Sequence, residues 1–275
     1  MRGARSVGRA REGALARGLL EGPGMRTMVA TALLALAGCG AVGGDPIAPS
    51  SMAESDGAIV TGAIVDGEDG LPIAGARACF AGTEESGAAA IASECAPSDR
   101  SGTYALAGLP RGERVAIAFA GEHYAPSLAL LSTGAGETAH AQSLVERGAA
   151  MLLAEAAGAP LDGTRGALRV EVAASDGGAP PPGLTIALGP PSGTGPLYLG
   201  DDGMPDRSLS ATGEAGLAAV LGLPPGDYRL RFAHPLAACV PVESWPTDDP
   251  RETQVRIAAG TITTVRLLCL REGGG

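Results

Sequence analysis

The sequence predicts an all-β protein: two tandem β-sandwiches joined by a short helical connector, behind an N-terminal signal segment. Three observations carry this. Short alternating apolar runs recur through both halves, separated by Gly, Pro and Asp, as sandwich strands are separated by turns. A stretch starting at Gly102 returns 114 residues later, at Gly216. Between the halves, Val145–Ala157 (VERGAAMLLAEAA) has helical composition instead.

Taken in order, the chain first reaches MRTMVATALLALAGC at Met25–Cys39. Arg26 supplies a positive start, Met28–Ala37 is apolar, and Leu36-Ala37-Gly38-Cys39 closes the run, the pattern of a secretory signal over 1–38. The run is about half of the ~20 residues that cross a bilayer. Residues 1–24 carry Arg2, Arg5, Arg9, Arg11 and Arg17 and no periodic apolar face. They either extend the positive region or precede a true start at Met25, which we favour. Residues 39–57 are rich in Gly, Pro and Ser and read as a flexible tether.

The first sandwich spans 58–144, with strands expected at Ala58–Asp66, Ala74–Ala81, Thr103–Ala107, Arg114–Ala120 and Pro126–Leu131. Residues 145–165 form the helical connector and a Gly/Pro linker. The second sandwich spans 166–271, with strands at Ala167–Ala174, Leu184–Leu188, Gly216–Leu221, Asp227–Ala233, Glu252–Ala258 and Thr261–Leu270. The repeat lies in GTYALAGLPRG from Gly102 and GLAAVLGLPPG from Gly216, which share a Gly-Leu-Pro-x-Gly corner. Pro fixes φ there and Gly relieves the turn, so the chain passes from one alternating strand into the next.

Leu36-Ala37-Gly38-Cys39 resembles the lipobox of bacterial lipoproteins. That resemblance implies acylation at Cys39, which becomes the first mature residue and attaches the chain to a membrane. Gly40, where an Asp would favour inner-membrane retention, points to the outer membrane. A second resemblance rests on Gly62-Ala-Ile-Val-Asp66, Leu71-Pro-Ile-Ala-Gly75, Asp99-Arg-Ser-Gly102-Thr-Tyr-Ala-Leu and Gly108-Leu-Pro-x-Gly112. In this order they resemble the carboxypeptidase regulatory-like domain, more closely over 58–131 than over 166–270. It implies a transthyretin-like or Ig-like sandwich of the carbohydrate-binding-like group, a non-catalytic accessory module.

Composition narrows the chemistry. The 275 residues include no Lys, which excludes P-loop, kinase and Schiff-base lysine chemistry. A net charge of −10 argues against a nucleic-acid partner. Removing 1–38, with six Arg and two Glu, makes the chain more acidic still. No G-x-S-x-G or H-E-x-x-H occurs, and His123, His140 and His234 stand apart. We therefore expect no catalytic residues and no cofactor. With Cys39 assigned to lipid, four cysteines remain, and the pairing Cys79–Cys95 and Cys239–Cys269 respects the two halves. Reduced core thiols are the alternative.

Two weaker sites complete the reading. Trp245, Tyr198 and Tyr124 fall outside the clear strand cores and are candidate ligand faces, Trp245 first; a lid over a sandwich edge is its other role. Asp201, Asp202 and Asp206 cluster at a Gly turn as candidate calcium ligands or as a solvated acidic turn. The sequence thus points to a non-catalytic, lipid-anchored envelope protein that binds a glycan or an envelope protein, or serves a purely structural role. An accessory or inhibitory module of an envelope enzyme is the remaining reading.

Overall fold

A computed structural model describes residues 57–86, 95–159 and 162–271. Cys39, the signal segment 1–38 and the tether up to residue 56 lie outside the described residues. The first half contains β1 (Ala58–Asp66), β2 (Arg77–Thr83), β3 (Cys95–Pro97), β4 (Thr103–Leu109), β5 (Arg114–Ala120), β6 (Ser127–Ser132), β7 (Glu137–Ala139) and β8 (Gln142–Leu144). Helix α1 (Arg147–Ala156) follows. The second half contains β9 (Gly166–Ala174), β10 (Thr185–Gly189), β11 (Thr194–Tyr198), β12 (Leu217–Leu223) and β13 (Gly226–Ala233). It ends with β14 (Ala237–Glu243), β15 (Trp245–Pro246), β16 (Glu252–Ile257) and β17 (Ile262–Arg271).

The strands make an all-β fold of three sheets. One runs β4-β1-β7, with β8 also on β1; one runs β10-β13-β16-β15. The third has nine strands in the order β11-β12-β9-β17-β6-β5-β2-β3, with β14 on β17. Each half repeats one arrangement. Strand β1 lies between antiparallel β4 and parallel β7 and β8, as β9 lies between antiparallel β12 and parallel β17.

The repeated corner has the same geometry in both copies. Register against β1 shifts between Ala58 and Val60, and register of β12 against β9 shifts between Val220 and Leu223. Each bulge contains a glycine at positive φ, Gly108 at 78° and Gly222 at 65°. The extra residue needs a left-handed backbone that a side chain would strain, and the bulge bends the strand before the Pro turn. The shared motif therefore encodes a bulge within the strand as well as the turn after it.

Two cores fill the sandwiches. Tyr104, Leu106, Ile117, Phe119 and Leu144 are buried in the first, with the Tyr104 and Phe119 rings edge-on at 5.6 Å. The alternating faces of β9, β13, β16 and β17 fill the second. Strands β5 and β6 serve both. Ile117, Phe119, Ala129 and Leu131 face the first core, while Ala116, Leu128 and Leu130 join the second. A sheet buried on both faces loses the alternation of a half-solvated strand and reads as a continuous apolar run, as Ser127–Ser132 (SLALLS) does. Three hydrogen-bonded pairs, from Ile262↔Ser127 to Thr264↔Ala129, carry the nine-stranded sheet across the two halves.

Around this join, Arg256 acts as a polar rivet. Its Nε and Nη2 donate to Asp227 at 2.8 and 3.2 Å, its Nη1 to the Thr83 carbonyl at 2.9 Å, and its Nη2 to the Glu84 carbonyl at 2.7 Å. The guanidinium also stacks 4.6 Å over the ring of Trp245, which is buried and donates its Nε1–H to the Val115 carbonyl. Only a planar guanidinium satisfies these directions together. We expect Arg256→Ala to cost about 3 kcal/mol in urea unfolding, and Arg256→Lys to recover less than half of it. Arg229→Ala should cost under about 1 kcal/mol, because Arg229 is exposed and Arg231 still pairs with Glu252.

Both disulfides form between directly opposed residues, Cys79↔Cys95 in β2–β3 and Cys239↔Cys269 in β14–β17. Their Cα–Cα distances, 4.1 and 4.0 Å, lie well inside the ~7 Å limit for bridging. Cys269 shares the buried face of Thr263, Val265 and Leu267, so the second bridge ties the strand leading to Trp245 onto the closing strand. Non-reducing peptide mapping should recover Cys239 linked to Cys269. Cys239→Ser together with Cys269→Ala should lower stability by roughly 3 kcal/mol on the loop-entropy model.

Candidate functional site

Strands β9 and β12 turn Leu168, Val170, Val172, Ala218 and Val220 into the second core. Their other face carries Ala167, Arg169, Glu171, Ala219 and Leu221. The small residues there let α1 settle on the sheet through Ala150 and Ala154, one helical turn apart and both buried. Met151, Leu152 and Leu153 are the large apolar residues of this helix. Yet Met151 and Leu152 are each 59% exposed and Leu153 is half-buried, because close approach favours the alanine side.

What the helix leaves uncovered is a groove of about 400 Å³. Its floor is Ala167, Ala219, Leu221 and Ile262, and one wall is Ala149, Leu152 and Leu153 of α1. Leu199 and Met204, in the loop after β11, form the opposite wall. Four carboxylates edge it: Glu68 from the β1–β2 turn, Glu146 at the start of α1, and Asp201 and Asp202. All four carboxylate residues are solvent-exposed, and Glu146 makes no side-chain cap bond to its helix. The groove therefore draws on both halves of the chain.

Beside the floor, on the same face of β9, lies a compact ion cluster. Arg169 Nη2 is 3.2 Å and Arg266 Nη2 3.4 Å from the Glu171 carboxylate, which also accepts the Ser143 hydroxyl at 2.7 Å. Arg169 Nη1 is buried and has no hydrogen-bond partner among the described residues. Burial alone would raise the Glu171 pKa, but the Arg169 charge, the Ser143 hydroxyl and Arg266 overrule it and hold the carboxyl below its ordinary value.

The sequence-derived sites fare unequally. Trp245 and Tyr198 present no open ring face: Trp245 is enclosed beneath Arg256, and Tyr198 is buried with its hydroxyl accepting the Ile186 N–H at 3.2 Å. Both rings sit where an apolar body fills a core while the polar tip finds a partner. Tyr124 is half-buried and donates to Asp66 Oδ2 at 2.8 Å, which with partial burial pushes its pKa up to about 12. The three aromatics share no surface. Asp202 and Asp206 are committed to their own turn, accepting the Met204 and Ser208 N–H groups at 3.0 and 2.8 Å. Asp201, Asp202 and Asp206 do not converge on a cation position, and no group of three potential ligands does so among the described residues. Cys39 lies outside them. No described helix is long and apolar enough to cross a membrane.

Sequence reasoning missed the groove. Its residues come from six separate segments, and only the Ala150/Ala154 pair, at i and i+4, hints at which helix face is covered.

No family model matches the chain, and no curated protein matches it. Among solved structures it is similar to the Bacillus anthracis TIE protein at 12% identity and TM-score 0.25, covering 78% of this chain but only 34% of that one. It is also similar to GBS52, the minor pilin of Streptococcus agalactiae, at 13% identity and TM-score 0.27, covering 79% and 98% of the two chains. A third is the shaft pilin SpaA of Lactobacillus rhamnosus GG, at 11% identity and TM-score 0.25, covering 79% and 98%. Likeness at this level says nothing of what the chain binds or does.

The ion cluster has a pH signature. With its folded pKa depressed, Glu171 adds stability above its ordinary value of 4.5, and that contribution is lost as pH falls through the lower folded value. Thermal midpoints measured below about pH 4.5 should therefore fall, and Glu171→Gln should flatten that part of the profile.

Proposed function

We propose that the chain is a lipid-anchored cell-envelope protein, held at the outer membrane through acylated Cys39, with a non-catalytic scaffolding role. The observation that carries this reading is the cysteine accounting. Four of the five cysteines pair within their own halves, Cys79 with Cys95 and Cys239 with Cys269, and Cys39 is the one left over. Paired cysteines fit an oxidising compartment outside the cytoplasm, and the unpaired one stands at the end of a signal pattern. An acidic chain gains nothing from anionic lipid headgroups, so attachment falls to the acyl chains.

The two sandwiches, 58–144 and 166–271, fit the carboxypeptidase regulatory-like resemblance as accessory modules on a tether. Between binding and pure support, burial of Trp245 and Tyr198 favours support. Sugar recognition uses open aromatic faces, and no aromatic residue lines the groove under α1. Protein contacts within the envelope are the better use of the surface.

Cys39→Ser tests the anchoring directly. Incorporation of labelled palmitate should vanish, and the protein should move from the membrane pellet to the soluble fraction. Undiminished labelling, or membrane retention that withstands a carbonate wash, would sink the proposal.

A further inference from the structure

We infer that the groove beneath α1 binds a small amphipathic cation, an apolar body carrying an ammonium or guanidinium group. The inference stands on the groove alone and holds whether or not the chain carries a lipid. A cavity of about 400 Å³ falls within the range of small-molecule sites. Its floor, Ala167, Ala219, Leu221 and Ile262, is already buried beneath neighbouring side chains. Its outer lip is Leu152, an apolar side chain left 59% exposed beside an empty space it could help to fill. An apolar ligand there would cover the exposed part of Leu152.

Charge selects the class. Glu68, Glu146, Asp201 and Asp202 all edge the groove, and no ion pair engages any of the four among the described residues. Asp202 uses one oxygen on its own turn, leaving the other open. The one cationic side chain lining the groove, Arg169, shares Glu171 with Arg266, so this cluster adds one net positive charge against the four carboxylates of the rim. An apolar slot with an unneutralised acidic rim repels carboxylate, sulfate and phosphate amphiphiles and attracts cationic ones. The groove has no aromatic wall, so recognition rests on carboxylate charge rather than cation–π contact.

The test uses the full chain with Cys39→Ser, so that no acyl chain competes, and isothermal titration calorimetry below micelle concentrations. Octyltrimethylammonium should bind with a one-to-one stoichiometry, about tenfold or more tighter than octyl sulfate, which shares its tail. Salt at about 0.5 M should weaken the cation several-fold, as rim charges are screened. Ala149→Trp, an exposed helix position on the groove wall, should abolish binding without shifting the thermal midpoint. Glu68→Gln with Glu146→Gln should weaken it several-fold, while Glu113→Gln with Asp248→Asn, outside the groove, should not. Equal affinity for the sulfate, or cation binding that survives Ala149→Trp in a folded protein, would overturn the inference. So would equal effects of the two paired substitutions, which would mark diffuse attraction to an acidic surface.

Discussion

The constraint on which this structure depends is the burial of one sheet on both faces. Strands β5 and β6 place Ile117, Phe119, Ala129 and Leu131 in one core and Ala116, Leu128 and Leu130 in the other. Neither sandwich can therefore complete its interior without the other. The hydrogen-bonded join is short, three pairs between β17 and β6. Side-chain burial does most of the holding, since each Leu, Ile or Phe of this layer contributes about 1.5–3 kcal/mol relative to exposure.

Sharing a sheet creates a polar problem that Arg256 and Trp245 solve. Backbone carbonyls at Thr83, Glu84 and Val115 lie at the boundary between the halves and accept from side chains of the second half. Arg256 and the Trp245 indole donate to them, and Asp227 neutralises the guanidinium. Arg114 adds a bond from the other side, to the Pro246 carbonyl at 2.9 Å. A buried cation is costly unless its donors are used, and here the chain spends one arginine on three segments at once. The same residues that looked available for a ligand, above all Trp245, are thereby consumed by architecture.

The opposite face of the nine-stranded sheet shows what happens where no second layer is supplied. Helix α1 covers part of it through alanines, and the approach is close but narrow. Glu171, Arg169 and Arg266 form a cluster under β8, and beyond the helix the groove remains open. Further along, Val240, Val242 and Leu270 are exposed on the outer side of β14 and β17. The surface is thus divided between a charged join, an apolar slot and an apolar edge, all consequences of one sheet extending past its coverings.

The sequence by itself determined the all-β class and most of the strands, because these rest on local periodicity and turn residues; counting offered the cysteine pairing, and the structure chose it over reduced thiols. Alternation put Tyr104 and Leu106, then Val115, Ile117 and Phe119, on inward faces, and the structure buries all five. The Gly-Leu-Pro-x-Gly corners marked equivalent bulges, since a left-handed backbone demands glycine wherever it recurs. The strands β3, β7, β8, β11, β14 and β15 escaped notice, most of them because short edges need little apolar patterning. Only the tertiary structure decided that the sandwiches share a sheet, that Trp245 and Tyr198 are interior, and that α1 leaves a groove with an acidic rim. The shared sheet joins Ile262 to Ser127, and Trp245 is buried against Val115, 130 residues away; no local pattern records which face a distant strand will cover.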